Sequence, residues 1–173
     1  MALLHQHFDQ SSHAQITDAV EQRQHFQTGL IRRDATAKTC ALVARLADSP
    51  RPLDAAVLFR EVEVSAGKVD PAIFICEVLF MATHDAAKRK GLAAALAKEL
   101  KAHVRSRLAD NAVGALCVAV KPTEEASSFW EDAGLEQLNY DDAQPLKTVY
   151  ELMVPFEDSE PHGMVITEDE DDE

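Results

Sequence analysis

Cysteine is scarce in this chain, and the few cysteines present do not form a disulfide pattern. There are three, and each lies in an apolar, strand-like run: Cys40, Cys76 and Cys117. An odd number of thiols in such runs favours buried free cysteines over a disulfide framework, and free cysteines are typical of proteins inside the cell. We therefore expect an intracellular protein, either nuclear or cytoplasmic.

Long apolar runs are also missing from the sequence. No window approaches the roughly 18 consecutive apolar residues of a membrane-spanning helix. The first ten residues, MALLHQHFDQ, lack the basic flank and the apolar stretch of a secretory signal. His5 and His7 have neither a cysteine nor a carboxylate partner at the spacing of metal ligands. These absences predict a soluble protein with no membrane anchor and no metal.

Charge is unevenly distributed along the 173 residues, whose formal net charge is −13. Nine acidic residues and no Lys or Arg lie between residues 157 and 173, which leaves −4 for residues 1–156. A terminal block of like charge repels itself and is typical of disorder. We therefore expect one globular domain at residues 1–156, mostly helical over residues 1–38, and a disordered acidic tail at residues 157–173. The tail either solubilises the protein or contacts basic partners.

Apolar periodicity predicts helices interspersed among strands. Alternating or continuous apolar runs predict strands at Thr39–Ala47, Ala55–Ser65, Ala72–Ala82, Val113–Val120 and Thr148–Phe156. Leucine or valine recurring at i+4 predicts a helix from Leu92 to Leu108, and a shorter helix begins at Pro122 and ends at Gly134. The run Ala72–Ala82 is apolar almost throughout, so we expect that strand at the centre of the sheet. This order predicts an α/β or α+β domain around one sheet.

A basic segment interrupts the acidic chain. Residues 85–107 hold seven basic residues against two acidic ones, and Lys88, Arg89 and Lys90 stand directly before Gly91 and the predicted helix. The first N–H groups of a helix attract anions, and neighbouring cations suit a ligand with more than one phosphate. Neither GxxxxGK[ST] nor GxGxxG is present. Taken by itself, the tripeptide also fits a solvated surface turn.

Glu77 is the only charged residue in the run Ala72–Ala82. Apolar surroundings make a carboxylate a stronger base, and a base is needed to remove the proton of a lysine-type amine before it attacks a thioester. We interpret Glu77 as a candidate general base, acting directly or through water. The alternative is a structural glutamate paired across the sheet with Arg60.

Two segments resemble motifs of the GNAT superfamily of N-acetyltransferases. KRKGLA, residues 88–93, resembles the R/Q-x-x-G-x-G/A signature, with Lys88 in the R/Q position and Ala93 in the G/A position. SSFWEDAGLEQL, residues 127–138, resembles the late block of two aromatic residues followed by Gly and a third aromatic, with Leu135 at that last position. The resemblance covers about residues 39–156. It implies a central mixed, mostly antiparallel sheet flanked by helices, and acetyl-coenzyme A as the cofactor.

The resemblance also implies roles for particular residues. The pyrophosphate-binding loop would comprise Lys88, Arg89, Lys90, Gly91, Leu92 and Ala93. The amide of Met81 would polarise the thioester carbonyl, and the main chain through Ala82 and Thr83 would pair with the pantetheine arm. Amine attack would be direct, with no acyl-enzyme, so Cys76 and Cys117 are expected to be core thiols. His84 is expected to be an ordinary loop histidine.

The segment ICEVLFMAT, residues 75–83, is similar to the histone-acetylating coactivators of the superfamily, which carry their general base at the position of Glu77. The longer segment CEVLFMATHDAAKRKG, residues 76–91, also resembles the acetyltransferase-like part of plant nuclear PHD-finger proteins. In one respect the chain departs from many relatives, because Phe129 and Trp130 stand where a Tyr protonates the departing thiolate.

Two hypotheses follow from these features. The first is an N-acetyltransferase that acts on a lysine of a basic protein such as a histone, or on a small-molecule amine. The second is a catalytically silent GNAT-like interaction module, chromatin-associated, that binds basic partners through its acidic tail. We expect no direct contact with nucleic acid, because the net charge opposes it. The sequence does not predict the oligomeric state.

Overall fold

The computed structural model describes residues 36–64, 72–107, 113–153 and 160–167. Within these ranges the strands are β1 (Thr36–Ala44), β2 (Ala55–Val64), β3 (Ala72–Thr83), β4 (Val113–Val120), β5 (Glu136–Gln137) and β6 (His162–Ile166). The helices are α1 (Leu92–Ser106), α2 (Glu124–Asp132) and α3 (Leu146–Met153), with a 3-10 turn at Asp85–Ala87. None of the described helices is long and apolar enough to span a membrane.

The six strands form one mixed sheet in the order β1-β2-β3-β4-β6-β5. Only β3 and β4 are parallel, and α1 lies in the crossover that joins them; the other neighbours are antiparallel. The continuous apolar sequence of β3 fits its position in the middle of the sheet, where both of its faces are covered. The expected mixed, mostly antiparallel sheet with flanking helices is confirmed.

Alternation along the strands divides the core into two layers. On one face, Phe74, Cys76 and Val78 of β3 pack with the buried residues of α1, Leu96, Ala97, Leu100 and Val104. On the other face, Ile73 and Ile75 pack with Val149 and Met153 of α3. The first layer also contains Trp130 and Leu135.

The end of α2 shows why its glycine is needed. Gly134 has φ +89°, a conformation that L side chains rarely adopt. Its N–H donates to the carbonyl of Glu131 at 2.8 Å, and the Leu135 N–H donates to the carbonyl of Trp130 at 2.9 Å. Lys101 of α1 adds its ammonium to the carbonyl of Ala133 at 3.2 Å, where the negative end of the helix dipole favours a cation. The prediction that Gly134 terminates this helix is confirmed.

The predicted strand Thr148–Phe156 is wrong, because its described part belongs to α3. Val149, Tyr150 and Thr148 favour strand by composition, but Val149 and Met153 lie one helical turn apart and bury against the same apolar layer. Tertiary burial along the helix therefore decides the structure. Residues 154–156 lie outside the described residues.

The boundary of the predicted acidic tail is also wrong. His162–Ile166, placed in the tail by charge counting, forms β6 and pairs with β4 on one side and β5 on the other. The apolar residues Met164, Val165 and Ile166 fill a gap between two strands, which a count of acidic residues does not detect. Residues 157–159 and 168–173 lie outside the described residues, and for residues 168–173 the tail remains a prediction.

At the other end of the sheet, β1 begins at Thr36 and ends at Ala44, three residues earlier than predicted at each end. It ends there because the Leu46 N–H bonds a side chain, the carboxylate of Asp54, instead of a neighbouring strand. Residues 36–38, predicted as part of the helical segment, therefore belong to β1. Residues 1–35 lie outside the described residues.

Candidate functional site

The sheet opens at one end of its parallel pair. The ladder between β3 and β4 ends at Val78 and Val120, whereas β3 continues to Thr83 along β2. Leu79 is an extra residue in β3, because Phe59 pairs with Val78 and Leu58 pairs with Phe80. Such a bulge bends the strand that carries it. The last residues of β3 thus have a strand partner on the β2 side only, among the residues that the structure describes.

Backbone directions make that open edge chemically useful. The His84 N–H donates to the carbonyl of Asp54, next to β2, at 2.8 Å. Because amide directions alternate along a strand, Ala82 also points its amide toward β2, while Met81 and Thr83 point theirs toward the opposite, open edge. Of the three strand residues predicted to contact the cofactor, two present hydrogen-bonding groups where an extended ligand could add as a strand.

The loop that follows β3 ends in an uncapped helix N-terminus. Gly91 is the N-cap of α1, has φ +77°, and no side chain caps the helix. The helical ladder starts with the Ala95 N–H donating to the Gly91 carbonyl at 2.9 Å, so the N–H groups of the first turn have no helical acceptor. The first turn contains no acidic residue, and a Cβ built on Gly91 would meet nothing within 4 Å. This terminus has both the donors and the space for an anion.

The three basic residues before Gly91 differ in their contacts. The Lys88 ammonium lies 2.6 Å from the carboxylate of Asp85, so part of its charge is balanced within the loop. Arg89 and Lys90 are exposed. Arg89 also has φ 60°, and alternating backbone conformations of this kind turn successive N–H groups toward one point. The backbone and the exposed cations therefore lie on the same loop.

Glu77 has the cross-strand partner that the sequence offered as the alternative. Arg60 and Glu77 are register partners on the α3 side of the sheet. The Arg60 Nε donates to Glu77 Oε2 at 2.8 Å, and Nη2 contacts the same oxygen. Oε1 of Glu77 has no hydrogen-bond partner within the described residues, and the side chain is 20% exposed. Glu77 is thus held by one oxygen, which leaves the other available.

The cysteines are poor nucleophiles. Desolvation by burial raises the pKa of the Cys117 thiol to about 12, and it raises the pKa of Cys76 well above its usual value. Burial, and next the negative charge of Glu61, also raise the pKa of Cys40. The prediction of buried core thiols is confirmed for Cys76 and Cys117, and the thiolate, which is the reactive form, is disfavoured at both.

The late aromatic pair is part of the core. Trp130 is 4% exposed and meets Phe129 edge to face, with ring centroids 5.0 Å apart. Phe129 packs on the same apolar layer as Met81 and Leu92. Neither aromatic side chain offers an acidic proton, so this layer supplies shape and excludes water.

Sequence reasoning missed two polar contacts, one in the loop after β3 and one at the far end of α1. His84 is more than a loop residue, because its Nδ1 accepts the Ala86 N–H at 3.2 Å and so caps the 3-10 turn. His103 of α1 bonds the buried Glu61 of β2 at 2.6 Å. Both rest on partners that the sequence does not identify. No group of three potential metal ligands occurs in the described ranges.

Comparison of sequences gives no relative, since no family model and no curated protein matches the chain. Comparison of structures gives 33 matching chains. One is a proposed acetyltransferase of the GNAT family from Desulfovibrio desulfuricans, with a TM-score of 0.52, 12% identity, and coverage of 95% of this chain and 87% of that one. The fold is that of a GNAT acetyltransferase.

Two further matches have lower TM-scores. The Bacillus subtilis N-acetyltransferase YlbP in complex with coenzyme A has a TM-score of 0.48 and 14% identity, covering 72% of this chain and 66% of that one. The KacTA–DNA complex has a TM-score of 0.47 and 18% identity, and the match covers 87% of this chain and 90% of that one. The chain spans only 59–66% of the length of three of the matching structures.

Proposed function

We propose that this protein is an acetyl-coenzyme A dependent N-acetyltransferase. The observation that carries the proposal is the uncapped N-terminus at Gly91 beside the open edge of β3. In a GNAT-type fold the open edge of β3 would supply donors for the extended arm, and the helix N-terminus, which comes later in the chain, would supply donors for the diphosphate. The coenzyme A bound by YlbP is of the same cofactor class.

The loop would hold the pyrophosphate through the main chain of Gly91, Leu92 and Ala93, with Lys88, Arg89 and Lys90 supplying positive charge. The open edge of β3 would hold the pantetheine arm at Thr83, and the Met81 N–H would donate to the thioester carbonyl. A fixed amide aimed at a carbonyl oxygen stabilises the negative charge that develops there during attack. The amide of Ala82 points toward β2, so Ala82 would donate no hydrogen bond to the arm.

Glu77 would be the general base. The amine nitrogen forms its new bond to the acetyl carbon, the amine proton passes to Glu77 directly or through water, and coenzyme A leaves as its thiolate. Arg60 would orient Glu77 through Oε2 while Oε1 faces the acceptor. Coenzyme A would take its proton from solvent, because Phe129 and Trp130 have none to give.

The acceptor would be a lysine of a basic protein such as a histone, as in the histone-acetylating branch of the superfamily. The formal net charge of −13 supports this choice, since an acidic surface attracts a basic substrate and speeds its encounter. A small amine is the other acceptor class. Transfer of radiolabelled acetyl groups, screened over histones and polyamines, tests both: labelled histone supports the proposal, labelled polyamine alone changes the acceptor, and no label on any amine contradicts it.

A second candidate function is a catalytically silent GNAT-like module that binds basic partners. Two observations favour it: the ion pair between Arg60 and Glu77, and the aromatic pair Phe129 and Trp130 without a tyrosine. Because β6 is part of the sheet, the binding tail would shrink to residues 168–173. Deletion of those six residues should then abolish binding to a basic protein, with no acetyl transfer before or after the deletion.

A further inference from the structure

Asp54 is a fully buried carboxylate at the end of the loop between β1 and β2, with 0% of its surface exposed. Its Oδ2 accepts the Leu46 N–H at 2.9 Å, and its Oδ1 accepts the Ser49 hydroxyl at 2.8 Å. The Arg51 guanidinium lies 3.5 Å from Oδ1. Donors from three residues of the same loop therefore converge on one carboxylate, and the loop closes around it.

The main chain of Asp54 extends this contact to the end of β3. Its N–H donates to the carbonyl of Ala44 at 2.8 Å, which anchors it to β1. Its carbonyl accepts the His84 N–H at 2.8 Å. His84 is the first residue after β3 and lies directly after Thr83, one of the two residues whose amides face the open edge. Asp54 thus connects the β1–β2 loop to His84, the first residue of the loop that follows β3.

His84 also holds the first turn of the loop that follows β3. Its Nδ1 accepts the Ala86 N–H, and its carbonyl accepts the Ala87 N–H at 2.8 Å, which forms the 3-10 turn. Ala87 is 1% exposed, so this turn is fixed by burial as well as by hydrogen bonds. Gly91 therefore lies only four residues beyond a turn that His84 holds in place.

We propose that Asp54 is a positioning residue for coenzyme A binding, acting through His84 on the loop from Lys88 to Ala93. The inference rests on the proposed function and names a residue of the site that lies 37 positions before Gly91 in the sequence. A carboxylate is required because donors reach both of its oxygens. Asparagine has a single acceptor oxygen and would turn its amide group toward a donor.

The charge state of Asp54 agrees with this role. The Leu46 N–H lowers the pKa of the Asp54 carboxyl more than any other contact, and Ser49 and Arg51 lower it further, while burial opposes them. The net direction is downward, so the side chain stays an acceptor at neutral pH. The contacts that close the loop are therefore also the ones that keep Asp54 ionised.

The test compares D54N with V149A. Val149 of α3 is equally buried but packs in the apolar layer on the other face of the sheet from α1, outside the proposed site, so V149A reports general loss of stability. Two measurements are made on each protein: hydrogen exchange of residues 84–91 without ligand, and the Kd for coenzyme A by calorimetry. We expect faster exchange in residues 84–91 and a Kd raised about tenfold for D54N, the equivalent of one or two hydrogen bonds. V149A should lower Tm and leave both quantities unchanged.

Each result decides between specific possibilities. Unchanged exchange and unchanged Kd in folded D54N overturn the inference, and so does an equal change in V149A. If the wild type binds no coenzyme A, the proposed function fails, whereas the exchange measurement still decides whether Asp54 controls the loop. If D54N does not fold, S49A replaces it, since removal of one donor should raise the Kd about threefold; an unchanged Kd in S49A then overturns the inference.

Discussion

Arg60 and Glu77 face each other across β2 and β3, and both guanidinium contacts fall on the same carboxylate oxygen. An ion pair that used both oxygens would leave fewer lone pairs open to an incoming proton. The observed arrangement fixes the direction of the carboxylate and leaves Oε1 without a partner among the described residues. The same contact can therefore serve a structural role and a catalytic one.

Substitution of Glu77 by glutamine separates these two roles. Glutamine retains an oxygen for Arg60 but cannot accept the amine proton, so we expect kcat to fall by about 10²- to 10⁴-fold. The Kd for acetyl-coenzyme A should change little, because Glu77 does not belong to the loop or to the open edge. Steady-state kinetics and calorimetry on the same preparation measure both quantities. An unchanged kcat would remove Glu77 from the mechanism.

Replacement of Gly134 by alanine should destabilise the fold without affecting the site. The Cβ would meet only the Met164 Cε at 3.9 Å, an ordinary contact, so the cost comes from the backbone at φ +89°. A left-handed conformation costs an L residue about 1–2 kcal/mol. Urea denaturation should show a loss of that size in the free energy of unfolding, with the Kd for coenzyme A unchanged. A neutral effect would contradict the glycine cap.

Acid should remove the stabilisation supplied by Asp54. The folded-state pKa of Asp54 lies below its ordinary value of 3.8, so its contribution is complete above pH 3.8 and is lost as pH falls through the lower, folded value. Unfolding curves between pH 2 and pH 6 should therefore show a decline at the acidic end for the wild type. The decline should be smaller in D54N. Parallel pH profiles would show that Asp54 does not contribute.

Thiol reagents should distinguish core cysteines from a nucleophile. Burial raises the pKa of Cys76 and Cys117, so neither should react with a thiol-specific reagent at pH 8 while the protein is folded. Cys40 is only half-buried and should react slowly. Three thiols should be counted after denaturation. Rapid labelling of Cys76 or Cys117, with loss of acetyl transfer, would contradict direct attack by the amine.

Local sequence patterns were sufficient for the centre of the fold. β4 has the predicted bounds, and the ends of β3 and α1 differ from the predicted ones by one or two residues. These elements were predictable because the spacing of apolar residues and the glycine at position 91 are local signals. Gly134 was likewise predictable, since left-handed caps favour glycine.

Residues whose roles depend on distant partners could not be predicted in the same way. α3 contains strand-forming residues and becomes a helix through burial against β3 and β4, while β6 is a short apolar segment within acidic sequence. Asp54 lies in a turn where an aspartate is ordinary, and only the fold brings it to His84. Arg60 was predictable as a partner of Glu77 because cross-strand pairing follows from register, but the choice of a single oxygen was not.

The most direct measurement is a calorimetric titration of coenzyme A into three proteins: the wild type, G91A and G91E. The site offers uncapped N–H groups with open space beside Gly91, so the wild type should bind one equivalent and G91A should bind more weakly, because φ +77° strains an L residue. G91E should not bind, since its carboxylate would occupy the position of a phosphate. Equal binding by the wild type and G91E, or no binding by the wild type, would contradict a diphosphate site at this helix.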